Sequence, residues 1–343
     1  MSCSTEVDLN APQKDIWVVY GVLDQSDSVQ YIRISRGFLI EGDALEFARN
    51  NNLSEKGLQV KLTGNNVEYI AEQVDSIPTL PQDGLFYPFT SLYKIETAGN
   101  LALETAETYT LNVTKGDDPD FFLEATTIIP EQVSFRNPAR NHRPGPGGSR
   151  CLIQASLELD YGLKFSVGSE RPASGFEARV FLSYQENGNE KEIVYGPSGS
   201  FSGNVGCTDG TGTQNRCYEF TAGEVLRGFL ADMEQNPSFV YTYDIDDNSG
   251  CQNDVADLPD NLRFEVTGQD LELFTYQRVN SPTFTDFNTV RPEYTNIVGQ
   301  DSVITLGIFG SISKQSAIAR LSPCSEFLLN LNGVPAPAAA CSL

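Results

Sequence analysis

Two strand signals sit back to back at the start of the chain and set the terms for everything after them. Ile16 to Leu23 is a strong apolar run, and Val29 to Ile34 alternates apolar with polar at period two, as a half-buried strand does. Similar patterns follow at Leu58–Leu62, Val67–Ala71, Phe86–Ile95, Tyr109–Val113 and Phe121–Ile129. Asp43 with Glu46 is a capping-box pattern that predicts a short helix over Ala44–Arg49. With 20 Phe and 14 Tyr against 2 Met and 1 His, the composition favours strands. The expected fold is mainly β: an immunoglobulin-like β-sandwich over residues 14–135, behind a polar tether at 1–13.

Residues 136–150 read RNPARNHRPGPGGSR, and their Pro and Gly exclude a regular element. This stretch is the expected linker. It gathers Arg136, Arg140, Arg143 and Arg150 into a basic strip, a candidate docking site for an acidic neighbour or for lipid headgroups. A second β-rich domain with helical insertions is expected over 151–343. It opens with Leu152–Leu159 and Leu163–Val167, followed by a hairpin of Arg179–Tyr184 and Glu192–Tyr195 around Asn187-Gly188. Thr221 with Glu224 predicts a helix through Val225, Phe229 and Leu230, and Thr267–Val279 is a further helical candidate. Leu306–Ile312 reads as a late strand. Gly307 and Gly310 within it point to a bulge or a close backbone approach.

The net charge of -23 excludes a phosphate backbone as a natural partner and keeps an exported chain soluble. No stretch has the length and apolarity of a membrane-spanning helix. Cys3 stands almost at the first residue, where a lipoprotein signal would be cut and the cysteine acylated. The six cysteines left are Cys151, Cys207, Cys217, Cys251, Cys324 and Cys341. An even number without CxxC spacing, beside a lone histidine, fits disulfides in an oxidising compartment better than zinc. Cys207–Cys217 closes a short Gly/Thr/Asn loop, Cys324–Cys341 pins the tail, and Cys151–Cys251 follows by elimination. Six cysteines allow about 15 pairings, so the connectivity stays open. Each bridge is worth about 2–4 kcal/mol.

Catalytic constellations are not assembled in the sequence. His142 lies in the Pro/Gly linker, a poor place for a rigid triad. Gly145-Pro146-Gly147-Gly148-Ser149 lacks the Gly-Lys-Ser/Thr ending of a phosphate loop. The acidic run Asp244, Asp246, Asn248 supplies the oxygen-ligand chemistry of calcium, although its glycine falls one place late for EF-hand spacing. The chain is read as a non-enzymatic protein with no cofactor beyond covalent lipid on Cys3, with calcium as the one candidate ion.

Four segments carry a resemblance. IWVVYGVLDQSDSVQYIRIS and, after a helical insert, Lys61-Leu62-Thr63-Gly64 come first. YTLNVTKGDDPDFFLEATTIIPEQVSF closes the first domain, and PEYTNIVGQDSVITLGIFGSIS stands near the end. In this order they resemble the Bacteroidota surface-lipoprotein family of domain of unknown function 4249. The family pattern falls on Tyr109, Leu111, Ala125, Thr126 and Pro130, then on Asn296, Ile297, Leu306, Gly307 and Phe309. Its internal cysteines and acidic loop depart from the family. The resemblance implies an outer-membrane, cell-surface address beside a β-barrel such as a TonB-dependent transporter or the outer-membrane assembly machinery, and supplies no catalytic residues. Glu6 and Asp8 after Cys3 are similar to the family's surface-export signal. The expected function is an accessory subunit of such a complex. The alternative is a surface lipoprotein that captures glycan or peptide through aromatics such as Trp17, Tyr241, Tyr243 and Tyr294.

Overall fold

The aromatic and β-branched runs do become strands, and the protein is mainly β. The computed structural model describes residues 15–37, 44–78, 87, 89–137, 154–155, 161–186, 189–196, 200–206, 214–232, 262–280, 293–301, 303–321 and 329. In chain order the first elements are β1 (Asp15–Asp24), β2 (Val29–Gly37), α1 (Ala44–Asn50), β3 (Leu58–Gly64), β4 (Val67–Ile70), β5 (Glu72–Pro78), β6 (Phe89–Glu96), β7 (Thr108–Lys115) and β8 (Asp118–Ile128). There follow β9 (Ser134–Asn137), β10 (Gln154–Ala155), β11 (Tyr161–Ser166), β12 (Gly175–Glu186), β13 (Asn189–Tyr195), β14 (Asn215–Phe220) and α2 (Ala222–Asp232). The last are β15 (Leu262–Gln269), α3 (Leu271–Asn280), β16 (Val298–Gly299) and β17 (Val303–Leu321).

The chain divides into two units, residues 1–130 with 269–312 and residues 131–268 with 313–343. This differs from the contiguous division at 136–150. Residues 269–312 return to the first unit because β17 pairs in parallel with β1, from Asp15↔Val303 to Asp24↔Ile312. A pairing across almost the whole chain leaves no periodicity for sequence reading to find. The expected linker also begins late, since Arg136 and Asn137 complete β9. Residues 138–150 and the tether at 1–13 lie outside the described residues.

The first unit has two sheets, one in the order β17–β1–β2–β6–β5 and one in the order β16–β8–β7–β3–β4. Both contribute to one core, with Trp17, Val19, Ile34 and Tyr93 from the first and Leu62, Tyr109, Leu111 and Leu123 from the second. Trp17 meets Phe121 at 4.5 Å between ring centroids. The β3–β4 hairpin turns through Asn65 and Asn66, both at positive φ (47° and 58°), the conformation that matches the right-handed twist of the flanking strands.

In the second unit the order is β13–β12–β15–β17, with β10 beside β17, and β14–β11–β9 form a separate sheet. The expected hairpin joins β12 to β13, closing at Glu186↔Asn189. Its core is aromatic: Phe165 lies 5.2 Å from Phe176, and Phe220 lies 6.0 Å from Phe264. From α2 come Val225 and Phe229, whereas Leu230, expected on the same face, is 39% exposed. The helix expected from Thr267 begins instead at Leu271. Thr267–Gln269 finish β15, and their burial on a strand outweighs the helical spacing.

At Gly307 the backbone of β1 leaves no room for a side chain. Its φ is +97°, and a Cβ there would lie 2.0 Å from the carbonyl oxygen of Val19, its partner on β1. Any side chain pushes the parallel ladder apart. Gly307→Ala is expected to cost at least about 2 kcal/mol in urea unfolding. Gly116→Ala, with open space around the Cβ, stays within about 0.5 kcal/mol of wild type.

Candidate functional site

β1 is apolar on both faces. Trp17, Val19 and Leu23 point into the core, so by strand alternation Ile16, Val18, Tyr20 and Val22 point away from it. β17 behaves likewise: Phe309 is core, and Ile304, Leu306 and Ile308 line up with Ile16, Val18 and Tyr20 on the outer face. Strands that pair in parallel ordinarily have both faces covered. Here the cover on the outer face is local. Ile308 is buried, whereas Ile304 is 40% exposed, Tyr20 41% and, on β2, Tyr31 48%. Arg33 stands opposite Tyr20 and Lys94 opposite Tyr31, so the apolar strip has cationic neighbours. Lys94 is held by Glu96.

Helix α3 supplies the local cover. A Cβ on Gly310 would lie 2.8 Å from the Cβ of Leu273, so only glycine lets the helix approach β17 there. Further along α3, the Tyr276 hydroxyl donates to the Tyr20 hydroxyl at 3.2 Å, with the rings edge-on at 6.3 Å. Burial, then the neighbouring Tyr20, pushes the Tyr276 hydroxyl up to about 12.

Asp270 fixes where α3 begins. Its carboxylate caps the helix by accepting the Leu273 N–H at 2.9 Å. The Thr127 hydroxyl of β8 lies 2.5 Å from the other carboxyl oxygen. The Asp270 amide donates to the Ser311 carbonyl of β17 at 3.1 Å. Asp270 is only 5% exposed, and burial raises its carboxyl to about 6 against three hydrogen bonds that pull the other way. Two residues on, Glu272 accepts from the Tyr294 hydroxyl. Burial, and then Glu272 itself, raises that hydroxyl well above the usual tyrosine range.

Residues of the quoted segments also converge in this unit. Tyr109, Leu111, Ala125, Ile297 and Phe309 are core, and Gly307 makes the close approach to β1. Asn296 acts as a clamp: its side chain accepts the Phe309 N–H at 3.0 Å and donates to the Phe309 carbonyl at 2.7 Å and the Thr126 carbonyl at 3.1 Å. The quoted residues therefore describe how the last segment is held to the first unit rather than a reactive centre.

Other sequence candidates fall differently. Trp17, expected among exposed aromatics, is 1% exposed, because the alternation of β1 turns it inward. Tyr294 is half-buried and bonded to Glu272, and Tyr241 and Tyr243 lie outside the described residues. Arg136 is exposed at the end of β9, while Arg140, Arg143 and Arg150 lie outside the described residues. So do Cys3, Cys151, Cys207, Cys251, Cys324, Cys341 and the acidic Asp244, Asp246 and Asn248. Cys217 is buried, takes an Asn204 side-chain oxygen on its amide, and is disulfide-bonded. Among the described residues no three His, Cys, Asp or Glu gather as a metal site, and no helix is long and apolar enough to cross a membrane. The outer face of β1 and the seat of α3 were missed in the sequence. The signal for the first was the unbroken run Ile16–Leu23, and for the second an Asp directly before Leu271.

The chain matches no protein-family model and no curated protein.

Asn296→Ala leaves the Phe309 amide and carbonyl without their partner. It is expected to lower unfolding free energy by about 2–4 kcal/mol, read from urea denaturation.

Proposed function

We propose that this protein is an exported, non-enzymatic lipoprotein, acylated at Cys3, that docks on an outer-membrane β-barrel complex as an accessory subunit. The partner class is a TonB-dependent transporter or the outer-membrane assembly machinery, and the family is that of domain of unknown function 4249. The first unit is read as an immunoglobulin-like sandwich whose outer face meets the partner. The observation that carries this reading is the apolar strip of β1, β2 and β17, with Tyr20, Tyr31 and Ile304 exposed beside Arg33. Aromatic and aliphatic side chains with an arginine at the edge are the composition of interface centres. The same two tyrosines favour the second reading, capture of glycan or peptide at the cell surface, since rings stack on sugar faces.

Affinity purification from detergent-solubilised native membranes separates the two. Recovery of a β-barrel protein is expected, and Tyr31→Ser with Ile304→Thr should cut that recovery about tenfold or more without moving the thermal midpoint. A protein that always runs alone ends the docking reading. Binding on a glycan array that the same double substitution abolishes would put the second in its place.

The oxidising address has its own test. Non-reducing peptide mapping is expected to join Cys217 to Cys207, with Cys324–Cys341 and Cys151–Cys251 as the remaining bridges. Free thiols at these positions in protein from its native compartment would argue against export.

A further inference from the structure

Three oxygen contacts run in a line from the seat of α3 into the sheet. The Asp270 carboxyl lies 2.5 Å from the Thr127 hydroxyl, Thr127 lies 2.9 Å from the Ser311 hydroxyl, and Ser311 donates to the Ile128 carbonyl at 2.8 Å. Each contact at these lengths is a hydrogen bond and needs a proton. The Ile128 carbonyl has none to give, and two hydroxyls hold two. The third is supplied by a carboxylic acid proton on Asp270; otherwise one Thr127 proton is shared between the carboxyl and Ser311. With the acid proton the line is complete: Asp270 donates to Thr127, Thr127 to Ser311, and Ser311 to Ile128. Without it the single Thr127 proton has to serve both the carboxylate and Ser311, and each of the two bonds is weakened.

We propose that Asp270, Thr127 and Ser311 form a proton-dependent latch that holds the first turn of α3 against β8 and β17, closed while the Asp270 carboxyl is neutral and loosened when it ionises. The ionised form keeps its cap bond to Leu273, which the helix N-terminus favours. It nonetheless places a charge in a seat that is 5% exposed. The ionisable groups acting there are Glu272, on the same helix turn, and Tyr294, which holds Glu272. Both are negative or neutral, so neither offsets the charge. β8 and β17 bring only the two hydroxyls and backbone groups to the carboxyl. The latch goes beyond the docking reading and does not rest on it, although the helix it holds covers part of the same outer face.

The direction with pH follows from where the proton is held more tightly. In the folded protein the carboxyl titrates near 6, and in the opened chain at its ordinary 3.8. Folded protein thus binds the extra proton between these values, and the stabilisation is full below about 4 and lost as pH rises through about 6. A gap of this size makes opening of the α3 turn about 100-fold more frequent at pH 7 than at pH 4.

Hydrogen–deuterium exchange of the peptide covering 262–280, corrected for the intrinsic pH dependence of exchange, reads that opening in the full-length protein. The expected result is the 100-fold rise in wild type and a flat profile in Asp270→Asn. The asparagine amide can donate to Thr127 while its carbonyl still accepts from Leu273. An equal rise in both proteins, or a flat profile in wild type, overturns the latch. Should Asp270→Asn fail to fold, carbon-13 carboxyl titration of wild type decides: a midpoint near 6 supports it, and one at or below about 4 overturns it.

Discussion

The parallel ladder between β1 and β17 is the constraint on which the first unit depends. Ten residues of each strand are in register, from Asp15↔Val303 to Asp24↔Ile312. That ladder brings Phe309 and Ile297 into a core otherwise made from residues before Pro130. It requires glycine at 307, because the backbone of Val19 occupies the space of a side chain. Asn296 adds to it, since its side-chain amide bonds both the N–H and the carbonyl of Phe309. Closing so long a loop is costly in chain entropy, though the cost grows only slowly with length.

The same ladder explains the outer face. Two strands paired in parallel carry apolar residues on both sides, and the core can cover only one of them. Helix α3 covers the rest in part, over Gly310 and Tyr20, while Ile304 and Tyr31 stay exposed. The exposed strip and the buried seat of α3 are thus two consequences of one arrangement. The helix has to begin where β15 ends, and Asp270 is the residue at that corner. Its carboxyl is buried because the cap of α3 and the inner hydroxyls of β8 and β17 meet at that point.

Much of the local structure was legible. The period-two runs at Val29–Ile34, Leu58–Leu62 and Tyr109–Val113 all lie within strands, and the expected hairpin strands pair as far as Glu186↔Asn189. The apolar side of α2 was visible in the spacing of Val225 and Phe229. The start of α3 was misplaced because Thr267 and Gln269 satisfy helical spacing equally well, and their burial on β15 decides between the two. Trp17, an aromatic candidate only for the alternative of glycan or peptide capture, is core. A run that is apolar at every position does not say which alternate residues face inward, and the partner strands fix that choice.

What the sequence by itself determined is the mainly β character, the acidic surface and the places where turns and caps fall, because these follow from side-chain shape, charge and backbone preference over a few residues. What only the tertiary structure decided is which strands are neighbours. The return of 269–312 to the first unit, the burial of Asp270 beside Thr127 and Ser311, and the apolar strip left open on β1 all come from contacts between residues far apart in the chain. Burial is a property of those contacts, and no local pattern encodes it.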